Sequence, residues 1–156
     1  MTVQRLTHLG ICVSDLERAL HFWRDALGFR ELGTLDVEGS EAATLLELPD
    51  VELRAVYLER DGMRIELLHY PTPGHAGGGE PRAMNALGLT HLSFRVQDLD
   101  ATLAALERAG GRVLKQTRTD SPRFGAAAVF VSDPDGTRVE LVQAPGDPAA
   151  LPGRGS

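Results

Sequence analysis

The chain has 156 residues, 42% hydrophobic and 24% charged, the composition of a soluble globular protein long enough to bury a core in one domain or two packed modules. A net charge of −6 without a basic block argues against nucleic acid or a membrane surface as partner, because phosphates call for a cationic face. No apolar run nears the roughly 18 residues of a membrane span, and the start carries no secretory pattern. Cys12 stands alone, which excludes an internal disulfide or a CxxC site and leaves the cytoplasm as the expected compartment.

In chain order, residues 4–13 alternate as a strand, with Leu6, Leu9, Ile11 and Val13 apolar. Ser14 or Asp15 can cap a helix running to about Leu27, with Leu16, Ala19, Leu20, Trp23 and Leu27 as its core stripe and Gly28 as its stop. Strands are predicted near Phe29–Val37, Val51–Glu59 and Met63–His69, the last two joined by the hairpin signal Asp61-Gly62. Residues 1–70 thus read as a first βαβββ module. Residues 71–87, rich in Gly and Pro, read as a linker. A second βαβββ module follows over 88–144. Its strand covers Leu89–Val96, its helix runs from about Asp98 to Ala109, and Gly110-Gly111 stops that helix. Its further strands lie near Arg112–Gln116, Ala126–Val131 and Thr137–Gln143. Residues 145–156 read as a flexible tail.

The two modules repeat each other. Thr7-His8-Leu9 leads to Val13, Asp15 and Leu16, and Thr90-His91-Leu92 leads to Val96, Asp98 and Leu99 at the same offsets. The run from Asp61 through Arg64, Ile65 and Glu66 is echoed by Asp135 through Arg138, Val139 and Glu140. Strand parity puts His8, Glu66, His91 and Glu140 opposite the apolar face, so they could line a cleft. For any one of them alone, a solvated surface position is the commoner outcome; recurrence in register in both halves favours a shared role. Two imidazoles and two carboxylates suit a borderline divalent ion such as Zn, Ni, Co, Mn or Fe(II). Such an ion would polarise a carbonyl and stabilise an enolate while Glu66 or Glu140 carries the proton.

These residues resemble the vicinal oxygen chelate superfamily, which includes glyoxalase I, methylmalonyl-CoA epimerase, extradiol dioxygenases and the bleomycin and fosfomycin resistance proteins. The resemblance rests on the run Thr7–Leu16, the helix end Phe22–Phe29, Gly88-Leu89-Thr90-His91 and Asp133–Leu141. It implies an α+β fold of two tandem βαβββ modules forming a cup-shaped mixed sheet around a metal site, and a homodimer. The glyoxalase and epimerase branches ligate from the first, fourth, fifth and eighth strands, matching His8, Glu66, His91 and Glu140 here. Extradiol dioxygenases need only positions matching His8, His91 and Glu140, so Glu66 tilts the reading toward proton transfer. Departures remain: the Asn-Trp that follows the fourth-strand Glu in glyoxalase I is Leu67-Leu68 here, and the epimerase His-His is Thr90-His91.

The expectation is therefore a divalent-metal-dependent lyase or isomerase of glyoxalase or epimerase type, acting on a small molecule that chelates through a carbonyl. The alternatives are an extradiol-type Fe(II) dioxygenase and a non-enzymatic resistance protein that binds an antibiotic or metabolite. Arg64, Arg95 and Arg138 share parity with the ligands and would favour an anionic substrate; pairing with acids at the rim is the competing reading. Arg123, in the loop before the seventh strand, is a further substrate-binding candidate. Glu47 and Glu52 are weaker acid/base candidates, their face ambiguous.

Overall fold

The computed structural model describes residues 2–150, and the chain divides into two compact units between Gly78 and Gly79. In the first, β1 (Leu9–Cys12) is followed by α1 (Leu16–Leu20), which continues as a wide π turn over His21–Ala26. Next come β2 (Arg30–Glu38), α2 (Ser40–Leu46), β3 (Glu52–Arg60) and β4 (Met63–Thr72). The second unit runs β5 (His91–Arg95), α3 (Leu99–Arg108), β6 (Arg112–Ser121), a 3-10 turn at Pro122–Phe124, β7 (Ala126–Ser132) and β8 (Arg138–Gln143).

Each unit is a four-stranded mixed sheet, ordered β1-β4-β3-β2 and β5-β8-β7-β6. The outer pairs β1/β4 and β5/β8 are parallel and the rest antiparallel. The first strand of each unit therefore lies beside the last, which brings residues far apart in sequence onto adjacent positions.

The two helices begin alike. The Asp15 and Asp98 carboxylates accept the backbone N–H of Arg18 and Ala101, both at 2.9 Å, satisfying a donor that the first turn leaves free. They end alike too, at Gly28 and Gly110 with φ of 72° and 85°. Between cap and stop they differ by one residue: Gly28 lies thirteen positions after Asp15, and Gly110 twelve after Asp98. The surplus is absorbed by the π turn, closed by Leu27 N–H donating to the Phe22 carbonyl. Phe22 and Trp23 are both fully buried there, and Trp23 meets Phe22 and Phe29 edge-on at 5.4 and 5.9 Å.

The expected alternation holds in the strands beneath. Ile65 and Leu67, like Val139 and Leu141, are completely buried, while Glu66 and Glu140 between them face the other way. The hairpin at Asp61-Gly62 is present, with φ of 52° and 77°.

Several features depart from the sequence expectation, among them β4, which runs to Thr72 past the expected His69 and into the expected linker, and β5, which begins at His91 in place of Leu89. The first strand is shorter, Leu9–Cys12 in place of 4–13. A helix, α2, occupies the stretch between β2 and β3 for which no element was expected; Ala42 buries itself there with Val51 and Leu53, and Leu46, Leu68 and Tyr70 pack around them. Strand β6 extends to Ser121, beyond the expected Gln116, through a register shift between Leu114 and Thr119. The Thr117 hydroxyl fills that bulge, donating to the Leu114 carbonyl at 2.7 Å and accepting from the Phe130 N–H at 2.9 Å. Residues 145–150 of the expected tail are described, with the Pro145 carbonyl accepting from Arg95; residues 151–156 lie outside the described residues.

The turn Asp133–Thr137 holds β7 to β8. Asp133 is buried, and its Oδ1 accepts the N–H of Asp135 at 3.0 Å and of Thr137 at 2.7 Å. Asp133→Ala would leave two backbone donors unsatisfied and is expected to cost about 1–3 kcal/mol. Asp133→Asn keeps the accepting oxygen and should cost much less. Urea midpoints of the two variants check this; equal midpoints would show that the turn does not depend on that oxygen.

Candidate metal centre

On the polar face of each sheet a histidine meets a glutamate. His8 Nε2 lies 3.1 Å from Glu66 Oε2, and His91 Nε2 lies 3.7 Å from Glu140 Oε2. The first pair is tighter and its carboxylate better shielded: the Glu66 side chain is 12% exposed and that of Glu140 29%. The other ring nitrogen is fixed by the preceding residue. Thr7 Oγ1 is 3.0 Å from His8 Nδ1, and Thr90 Oγ1 is 2.8 Å from His91 Nδ1. A hydroxyl both donates and accepts, so either histidine tautomer is satisfied there, and Nε2 is free to act as a ligand whenever Nδ1 carries the proton. The Thr-His doublets are plain in the sequence, but nothing in them marks the threonines for this role.

An aromatic ring backs each imidazole. Tyr57 on β3 meets His8 edge-on, centroids 5.5 Å apart, and Phe130 on β7 meets His91 likewise at 5.3 Å. The Tyr57 phenol stands beside the Glu66 carboxylate, opposite it in register on β3; interaction with that carboxylate, with burial, pushes its pKa up to about 12. Phe130 has no hydroxyl to offer. Glu140 accepts instead from Ser93 Oγ on β5, at 2.7 Å.

The donor chemistry fits a divalent cation. Each unit supplies one imidazole nitrogen and one carboxylate, both oriented by outer hydrogen bonds of the kind that hold metal ligands in place. Among the described residues no group of three or more His, Cys, Asp or Glu that could hold a metal ion stands together.

The predicted arginines have partners of their own. Arg64 Nε is 3.9 Å from the Glu59 carboxylate. Arg95 donates to the carbonyls of Ala144 and Pro145 at 3.2 and 2.7 Å. Arg138 donates to the Arg82 carbonyl at 2.8 Å and stacks over Phe130, its guanidinium carbon 5.7 Å from the ring centroid. Arg123 sits in the 3-10 turn before β7. Glu47 ends α2 in the left-handed region, and Glu52 accepts from the Thr72 hydroxyl at 3.2 Å.

Two consecutive βαβββ units, each with its first and last strands paired in parallel, define a duplicated-module α+β protein. Residues 5–141 match the Glyoxalase/Bleomycin resistance protein/Dioxygenase superfamily, and the chain belongs to that family, the vicinal oxygen chelate superfamily. It is 29% identical to the ethylmalonyl-CoA/methylmalonyl-CoA epimerase of Cereibacter sphaeroides, covering 90% of this chain and 98% of the epimerase. It is 30% identical to the lactoylglutathione lyase of Haemophilus influenzae, covering 89% and 92%. Among solved structures, a glyoxalase family protein from Bacillus cereus superposes with a TM-score of 0.78 at 22% identity, covering 94% of this chain and 97% of that one, a likeness of fold. No helix among the described residues is long and apolar enough to cross a membrane.

Proposed function

We propose that this protein is a divalent-metal-dependent lyase or isomerase that moves a proton at the carbon next to a carbonyl, with His8, Glu66, His91 and Glu140 as ligands. The observation that carries the reading is the His–Glu pair repeated on the polar face of both sheets, each imidazole turned by a threonine so that Nε2 faces its carboxylate. The similarity to an epimerase and to lactoylglutathione lyases supports the same chemistry. The metal would be Zn, Ni, Co, Mn or Fe(II), and the protein would act as a cytoplasmic homodimer.

When bound, the ion would polarise the substrate carbonyl and make the adjacent C–H more acidic. The chain's own part is proton handling. Glu66 and Glu140 are carboxylates close to a histidine and to one hydroxyl, able to accept a proton and return it. The histidines keep Nε2 toward the site because Nδ1 is engaged by Thr7 or Thr90. The low exposure of Glu66 limits competition from water. An anionic substrate would draw Arg64, Arg95, Arg138 or Arg123 into the site, exchanging their present contacts for a carboxylate or a thioester-linked acid.

Elemental analysis of protein purified without chelator is expected to find one divalent metal per site. In D2O the protein should then incorporate deuterium next to the carbonyl of an acyl-CoA thioester or a hemithioacetal, and EDTA should abolish the exchange. Metal-free protein that exchanges nothing would overturn the reading, and oxygen uptake with catechols would replace it by a dioxygenase.

A further inference from the structure

The two glutamates stand in equivalent frames. Each is flanked in register by one residue on the parallel neighbour strand and one on the antiparallel neighbour. For Glu66 these are Gly10 and Tyr57; for Glu140 they are Ser93 and Phe130. In each frame one of the two flanking residues carries a hydroxyl: Ser93 Oγ donates to Glu140 at 2.7 Å, and the Tyr57 phenol stands opposite Glu66 in register, its ring edge-on to His8. The hydroxyl is on the antiparallel side in the first unit and on the parallel side in the second. The flanking residues differ between the two frames, yet each frame sets one hydroxyl beside its glutamate.

We infer that Tyr57 and Ser93 are positioning residues doing the same job: each supplies the hydroxyl that fixes its glutamate beside its histidine for metal binding. The inference rests on the proposed metal site and goes beyond it by naming residues that touch neither metal nor substrate. A carboxylate on a strand has free torsions about its side chain, and burial alone does not choose among them. One hydrogen bond from a neighbouring strand does, and outer partners of this kind commonly contribute tenfold to a hundredfold in metal affinity. Tyr57 adds rigidity, since its ring is already held edge-on to His8.

The test uses Co(II) alone as probe, on the full-length metal-free protein, with affinity and visible absorption as readouts. Tyr57→Phe keeps the ring and removes only the hydroxyl. It is expected to weaken Co(II) binding by about tenfold to a hundredfold and to alter the absorption bands. Gly10→Ser, introduced into Tyr57→Phe, moves the second unit's donor into the first; a Cβ at Gly10 would meet only the flexible end of Leu68, at 3.1 Å. This double variant should recover most of the lost affinity and the original bands, which mere repair of packing would not do. Ser93→Ala should reproduce the loss from the other side. If the original protein binds Co(II) and Tyr57→Phe binds it equally, or Gly10→Ser restores nothing, this inference falls while the metal site stands. If the original protein binds no Co(II), the metal site fails and this inference with it. A double-mutant cycle of Tyr57→Phe with Glu66→Ala, which removes the accepting oxygens that glutamine would keep, followed by urea unfolding of metal-free protein, gives a second check: additive effects would overturn the coupling.

Discussion

Replacing Glu66 or Glu140 by glutamine is expected to lower kcat by about 100- to 10,000-fold, the usual weight of a positioned general acid–base group, with the fold intact. The substitution is close to isosteric. The amide keeps an oxygen beside Tyr57 or Ser93 and leaves the strand pattern undisturbed. What disappears is the charge and the ability to take a proton. The loss should therefore fall mainly on kcat, and deuterium exchange into the substrate should fall with it. Both side chains are proposed ligands, so both variants should also bind metal less well, Glu66→Gln the more so because its pair is the closer and the better shielded. Wild-type turnover in both variants would rule out the proton-carrying role.

Trp23→Ala is expected to have the largest effect on stability. The side chain is fully buried and lies edge-on to Phe22 and Phe29, so its removal opens a cavity that two neighbouring rings cannot both refill. Such truncations cost about 3–5 kcal/mol, a large part of the roughly 5–15 kcal/mol that holds a typical domain folded. The urea midpoint should drop steeply, whereas Trp23→Phe, which keeps one ring, should lose distinctly less. A midpoint for Trp23→Ala near that of the original protein would mean the π turn re-forms around the gap.

Local chemistry made much of this legible in the chain. Asp15 and Asp98 as caps, Gly28 and Gly110 as stops, and Asp61-Gly62 as a hairpin are written in single residues or pairs, so the order of elements could be read directly. Strand parity placed His8, Glu66, His91 and Glu140 on one kind of face, and burial of Ile65, Leu67, Val139 and Leu141 agrees with that alternation. Parity has a limit: it names a face and says nothing of the neighbour across the strand. Ser93 was on the right face without a visible role, and Tyr57 went unremarked, because their carboxylates lie 47 and 9 positions away and only register joins them. Long side chains exceed parity in another way. Arg95 and Arg138 leave their strands on the expected side, yet their guanidiniums end on carbonyls of other segments. Helix α2 escaped notice because it is short, has no side-chain cap, and depends on packing against Val51 and Leu53.

The odd residue stored between Asp15 and Gly28 bears on how the halves could drift apart. An insertion inside β1 or β4 would flip every later side chain to the wrong face and take His8 or Glu66 away from its mate. Lodged in a helix, the same insertion widens one turn and leaves both flanking strands in phase. Length variation in this protein is thus buffered on the helical layer, where a copying error can persist without cost to the chemistry across the sheet.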